Sequence, residues 1–99
     1  MTDNRRTDDR LSINLSARWD DGSGTQEARI EDVSLGGCFV NTRGRIDVGE
    51  IVVVEIKLPT EEWLQLRGEV VSFQEGIGFG VVFSFLTEDE EQALRELIS

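Results

Sequence analysis

Residues 51–58 read Ile-Val-Val-Val-Glu-Ile-Lys-Leu, the strongest strand signal in the chain. β-Branched side chains lose rotamer freedom in a helix but pack well on a pleated sheet. Pro59 and Thr60 close the run, because proline has no N–H to extend a ladder. On the C-terminal side, Trp63–Phe73 alternates with period two. Leu64, Leu66, Gly68, Val70 and Ser72 fall on one face. Trp63, Gln65, Arg67, Glu69 and Val71 fall on the other. Gly76 and Gly78 then bracket a tight connection into a strand over Phe79–Phe85.

On the N-terminal side, Thr42–Glu50 contains Gly44 and Gly49 and reads as a loop. Cys38–Asn41 is a short strand, Ser34–Gly37 a turn, and Gln26–Val33 a strand with Ala28 and Ile30 facing inward. From Leu11 onward, Ile13, Leu15, Ala17 and Trp19 share one side. Asp20-Asp21-Gly22-Ser23-Gly24 supplies the turn that follows. Six short strands joined by such turns predict a mainly β domain, a small antiparallel barrel or sandwich.

The period changes near the end. Thr87 with Glu90 three residues on is a capping box, and Glu88, Asp89, Glu90 and Glu91 suit the positive end of a helix dipole. Ala93, Leu94, Leu97 and Ile98 share a face. An amphipathic helix of about three turns is expected over residues 88–98. The chain should divide into a flexible segment, 1–10, and a barrel domain, 11–99. The first ten residues, MTDNRRTDDR, have no aliphatic side chain after Met1 to bury.

Composition bounds the chemistry. Ninety-nine residues with 38% apolar and 30% charged side chains support one small core. Twenty acidic residues face ten basic ones, for a formal charge of −10. DNA and anionic membranes attract cationic surfaces, so neither is an expected partner. No apolar run is long enough to cross a bilayer, and the polar N-terminus has no signal-peptide core, so a cytoplasmic location is expected. There is no histidine, which removes Ser-His and Cys-His catalysis and His-metal sites. Cys38 is the single cysteine, ruling out an internal disulfide, and its apolar neighbours Phe39 and Val40 predict a buried, inert thiol. Adjacent acids at Asp20/Asp21 and Glu61/Glu62 have nothing to separate their pKa values, so a solvated surface is expected there and not an acid–base pair. Asp20–Gly24 lacks the alternating ligands of a calcium loop. Gly76-Ile77-Gly78-Phe79-Gly80 leads into strand-forming residues, not a helix N-terminus, so it is no phosphate loop. No catalytic residue, metal or resident cofactor is expected.

Two segments stand apart. Arg5-Arg6-Thr7-Asp8-Asp9-Arg10 gathers three guanidinium groups, planar donor forks that suit phosphates and the O6/N7 edge of guanine. Asp32-Val33-Ser34-Leu35-Gly36-Gly37 lies at a strand end. Its carboxylate is acceptor-only and suits the N–H donors of guanine, Ser34 can donate or accept, and Gly36 and Gly37 leave backbone open to a close ligand. Taken singly, each also reads as a solvated tail and a plain Ser turn.

Together, Arg6-x-x-x-Arg10 followed by Asp32-x-Ser34-x-x-Gly37 resembles the signature of the PilZ domain family, in which an Arg-x-x-x-Arg precedes Asp/Asn-x-Ser-x-x-Gly. Gly78–Phe83 (GFGVVF) with Leu86 and the acidic helix start is similar to the end of that domain, so the resemblance covers essentially the whole chain. It implies a six-stranded antiparallel β-barrel with a C-terminal helix, and a bacterial receptor for cyclic di-GMP. By position, Arg6 and Arg10 would contact guanines and phosphates, and Asp32 a guanine edge. Ser34 and Gly37 would shape and line the pocket. An Arg immediately before the motif, here Arg5, implies two stacked ligand molecules per domain. Output would pass to an unidentified downstream protein, from a monomer or weak dimer. The alternative implied by the family is a pilus or motility adaptor that binds no nucleotide, although such members usually lack the arginines.

Overall fold

A computed structural model of the chain describes residues 11–99. The apolar runs named above become six strands: β1 (Leu11–Asp20), β2 (Thr25–Val33), β3 (Gly37–Asn41), β4 (Ile51–Lys57), β5 (Trp63–Gln74) and β6 (Gly78–Phe83). One helix, α1 (Glu88–Ile98), follows. The strands close into a barrel in the order β1-β2-β3-β6-β5-β4, with every neighbouring pair antiparallel. β4 completes the ring against β1, opposite Ala17–Asp20. Each described strand thus has a partner on both sides, although β4 covers β1 only along Ala17–Asp20.

Alternation fills the barrel. Val52, Val54 and Ile56 of β4 and Leu66 and Val70 of β5 point inward and are buried. Trp19 meets Phe79 edge-to-face, with ring centroids 5.0 Å apart at 78°. Its indole N–H donates to Thr42 Oγ1 at 3.1 Å, which also accepts from the Gly44 N–H at 3.1 Å. The segment from Thr42 to Glu50 is a loop, as expected, but it also supplies core: Ile46 is buried. Trp19 lies against Gly44, where an added Cβ would come within 2.6 Å of the indole.

Three register shifts interrupt the ladders, the first between Ser12 and Leu15 of β1 against β2. In β2, Ile30 and Val33 are both buried although three residues apart, which a regular strand forbids. Against β3, Ile30 pairs with Val40 and Asp32 with Phe39, so Glu31 is an extra, unpaired residue that resets the phase. β5 does the same at Val71, between the Val70–Val81 and Ser72–Gly80 pairs. The consequence corrects the face expected for Ser72: it is exposed, and Phe73 packs against the core instead. The last strand also stops earlier than expected, at Phe83. Phe85 turns the chain with φ +50° and stands 89% exposed.

Thr87 caps α1 in the expected way: its hydroxyl accepts from the Glu90 N–H at 3.1 Å, and the Glu90 carboxylate accepts from the Thr87 N–H at 3.0 Å. Arg95 pairs with Glu91 one turn earlier. Leu94 alone on the helix is fully buried, with Leu97 and Ile98 half-covered beside it. Full burial of one such side chain contributes about 1.5–3 kcal/mol, so the helix is held mainly through Leu94. No helix among the described residues is long and apolar enough to cross a membrane.

Candidate ligand groove

The turn between β2 and β3 is built by Ser34. Its N–H donates to the Gly37 carbonyl at 2.9 Å, and its hydroxyl accepts from the Gly36 N–H at 3.2 Å. The Gly36 carbonyl in turn accepts from the Phe83 N–H at 2.9 Å, tying the turn to the end of β6. Asp32 precedes this turn on β2, opposite Ser12 on one side and Phe39 on the other. The bulge at Glu31 therefore sets which way Asp32 faces. It is half-buried and lines an open groove of about 530 Å³ with Ser34, Gly36, Gly37, Phe39 and Val82. A neighbouring depression of about 420 Å³ lies on its other flank, bordered by Ile13, Asn14 and Glu31.

The structure thus brings Asp32, Ser34, Gly36 and Gly37 to one groove. Arg5, Arg6 and Arg10 lie outside the described residues. Leu11, the first described residue, pairs with Val33, so the chain enters the barrel beside this turn. Gly37 has a structural task as well: a Cβ there would sit 2.0 Å from the Val81 carbonyl oxygen, so the close approach of β3 to β6 needs glycine. Gly36 has only Ser34 Oγ within 4 Å of such a Cβ, at 3.9 Å, and faces the open groove.

Phe39 is the site residue that motif reading missed. Cys38 and Val40 are buried on either side of it, so Phe39 turns outward and offers an aromatic face beside Asp32. Alternation around two buried neighbours was the available signal. Arg29, on β2 with Asp32, donates to Asn14 Oδ1 at 3.3 Å. Arg45 is engaged elsewhere, paired with Glu75 at 3.1 Å and stacked over Phe73. Of the tryptophans, Trp19 is core, whereas Trp63 lies on the surface under the Arg18 guanidinium, 3.9 Å from the ring centroid.

Hydrogen bonds from the Ser23 hydroxyl and N–H hold the exposed Asp21 carboxyl below its usual range, the wrong direction for a general acid at neutral pH. Glu61 is exposed and pairs with Lys57. Among the described residues, no group of three or more His, Cys, Asp and Glu could hold a metal ion. Burial pushes the Cys38 thiol up to about 12. A neutral disulfide reagent should therefore leave native protein unlabelled over hours at pH 8 and label it fully in guanidinium. Rapid native labelling would show that β3 opens.

The PilZ domain family model matches residues 4–99, and the chain belongs to that family. PilZ domains are binding and regulatory modules. No curated protein matches the sequence. Solved structures share the fold, three of which follow. The PilZ domain of CeSA from a cellulose-synthesizing bacterium aligns with a TM-score of 0.70 at 20% identity, over 90% of this chain and 93% of that one. The Bacillus subtilis inhibitor of motility, MotI/DgrA, aligns at 0.73 and 21% identity, over 96% of this chain and 50% of that one. Borreliella burgdorferi PlzA, solved in complex with c-di-GMP, aligns at 0.72 and 15% identity, over 97% of this chain and 42% of that one. The chain spans half or less of the last two proteins.

Proposed function

We propose that this chain is a cyclic di-GMP receptor in which residues 5–10 close over ligand held in the Asp32–Gly37 groove. One observation carries the reading. Leu11, which follows Arg10 directly in the chain, pairs with Val33 beside the Asp32–Gly37 turn. Asp32 accepts from a guanine edge, Phe39 offers a stacking face, and Arg6 and Arg10 meet phosphates and guanine O6/N7. Arg5 extends the clamp so that two ligand molecules stack on each other.

Ordering the clamp costs about 1–2 kcal/mol per residue in backbone entropy, which the charge-assisted contacts offset. The signal then has a route outward. Leu35, inside the motif, lines a depression of about 290 Å³ together with Arg95, Ile98 and Ser99 at the end of α1. Ligand on one side of the turn and helix on the other give a partner protein a surface that changes on binding. Titration calorimetry with cyclic di-GMP should give two ligands per chain. One per chain removes the stacked pair. No heat at millimolar ligand removes the receptor reading and leaves the nucleotide-free adaptor.

A further inference from the structure

The outer face of β4, β5 and β6 carries an apolar patch that meets the candidate groove only at Val82. Ile51, Glu69 and Val82 form one cross-strand row, with Ile51 59% and Val82 49% exposed. Beyond Ile51 the pairing continues, the Gly49 N–H reaching the Val70 carbonyl at 2.8 Å and the Val70 N–H reaching that of Glu50 at 2.9 Å. Val48, 61% exposed, precedes Gly49 in the Asp47–Glu50 turn, and the bulge next to Val70 leaves Val71 49% exposed. Of seven large apolar side chains exposed among the described residues, four stand here. Such clustering marks a contact surface, since scattered single exposures need no explanation. The barrel is closed, so an occupant must dock side chain against side chain.

The charges within the patch select the occupant. Arg67 and Glu69 both face outward from β5, two residues apart, and neither is in an ion pair among the described residues. Opposite charges at that spacing are self-complementary under a two-fold rotation. Antiparallel apposition of two β5 strands sets Arg67 of each copy against Glu69 of the other, with the apolar residues around both pairs. We propose that this face is a self-association surface whose occupant is a second copy of the chain. The patch is small, so the dimer is concentration-dependent.

Sedimentation equilibrium of the full chain without nucleotide tests this, from micromolar to millimolar protein. The wild-type mass should climb from 11.1 kDa towards twice that value. Arg67→Glu and Glu69→Arg should each hold the chain at monomer mass, and the double variant should restore the dimer. Unchanged thermal melting of all three variants would show that the exposed substitutions leave the fold intact. A wild-type chain that stays monomeric throughout overturns the proposal. So does a dimer unaffected by either single reversal. In the first case the face belongs to a different protein; in the second the copies meet elsewhere.

Discussion

Cyclic di-GMP at one hundred times its dissociation constant is expected to raise the melting temperature by more than about 10 °C. A ligand at that excess stabilises the native state by about 2.7 kcal/mol, and each kcal/mol moves a domain of this size by roughly 4–8 °C. Arg6→Ala or Arg10→Ala should remove half or more of the shift. Each removes charge-assisted hydrogen bonds of about 1.5–3 kcal/mol, roughly 10–150-fold in affinity. Asp32→Ala should lose a similar factor. Asp32 is half-buried on the outer side of β2, so its loss should change unliganded stability by less than about 1 kcal/mol. Thermal melts with and without nucleotide separate the two effects. A variant that unfolds the free domain would make that side chain structural and overturn its assignment as a ligand contact. GTP and cyclic di-AMP, run in parallel, test dependence on guanine and on the cyclic dinucleotide.

The acidity of the chain does not oppose this result. The net charge of −10 is spread over the whole chain, and screening limits repulsion to about 8 Å at physiological ionic strength. Residues 5–10 hold three arginines against Asp8 and Asp9, a local +1. Short-range donors therefore decide binding. Affinity should still fall as salt rises, because the clamp bonds are ionic.

Strand positions and the capped helix were legible because alternation and capping are local properties. Ile51–Lys57 and the Thr87–Glu90 box stand where the sequence places them. The bulges in β2 and β5 were not legible. A bulge is set by how two strands share a register, and nothing within Trp63–Gln74 alone says that Val71 is unpaired. Ile46 was hidden for a related reason. Its loop carries loop residues, and its burial follows from Trp19 and Gly44 coming together across the fold. In the candidate site, the motif residues were read as chemistry and Phe39 as part of a core strand. Only the inward placement of Cys38 and Val40 turns it to the groove.

The two motif glycines make opposite predictions, although spacing alone treats them alike. Gly37→Ala should destabilise the domain by about 3 kcal/mol or more, lowering the melting temperature by more than about 10 °C. The new methyl would meet the Val81 carbonyl oxygen at 2.0 Å and Val82 Cα at 3.3 Å, both backbone, so no side-chain rotation relieves the clash. Relief requires β3 to move away from β6, which breaks the seam joining Gly37–Asn41 to Gly78–Val82. Gly36→Ala should cost less than about 1 kcal/mol, since its methyl would enter open groove. It should instead weaken cyclic di-GMP binding by filling space the ligand needs. Chemical denaturation and ligand titration of both variants give a two-by-two test. The expected pattern is a stability defect for Gly37→Ala and a binding defect in a stable Gly36→Ala. If Gly36→Ala binds normally, the ligand does not approach this turn, and the Arg segment and Asp32 must hold it without the turn's backbone.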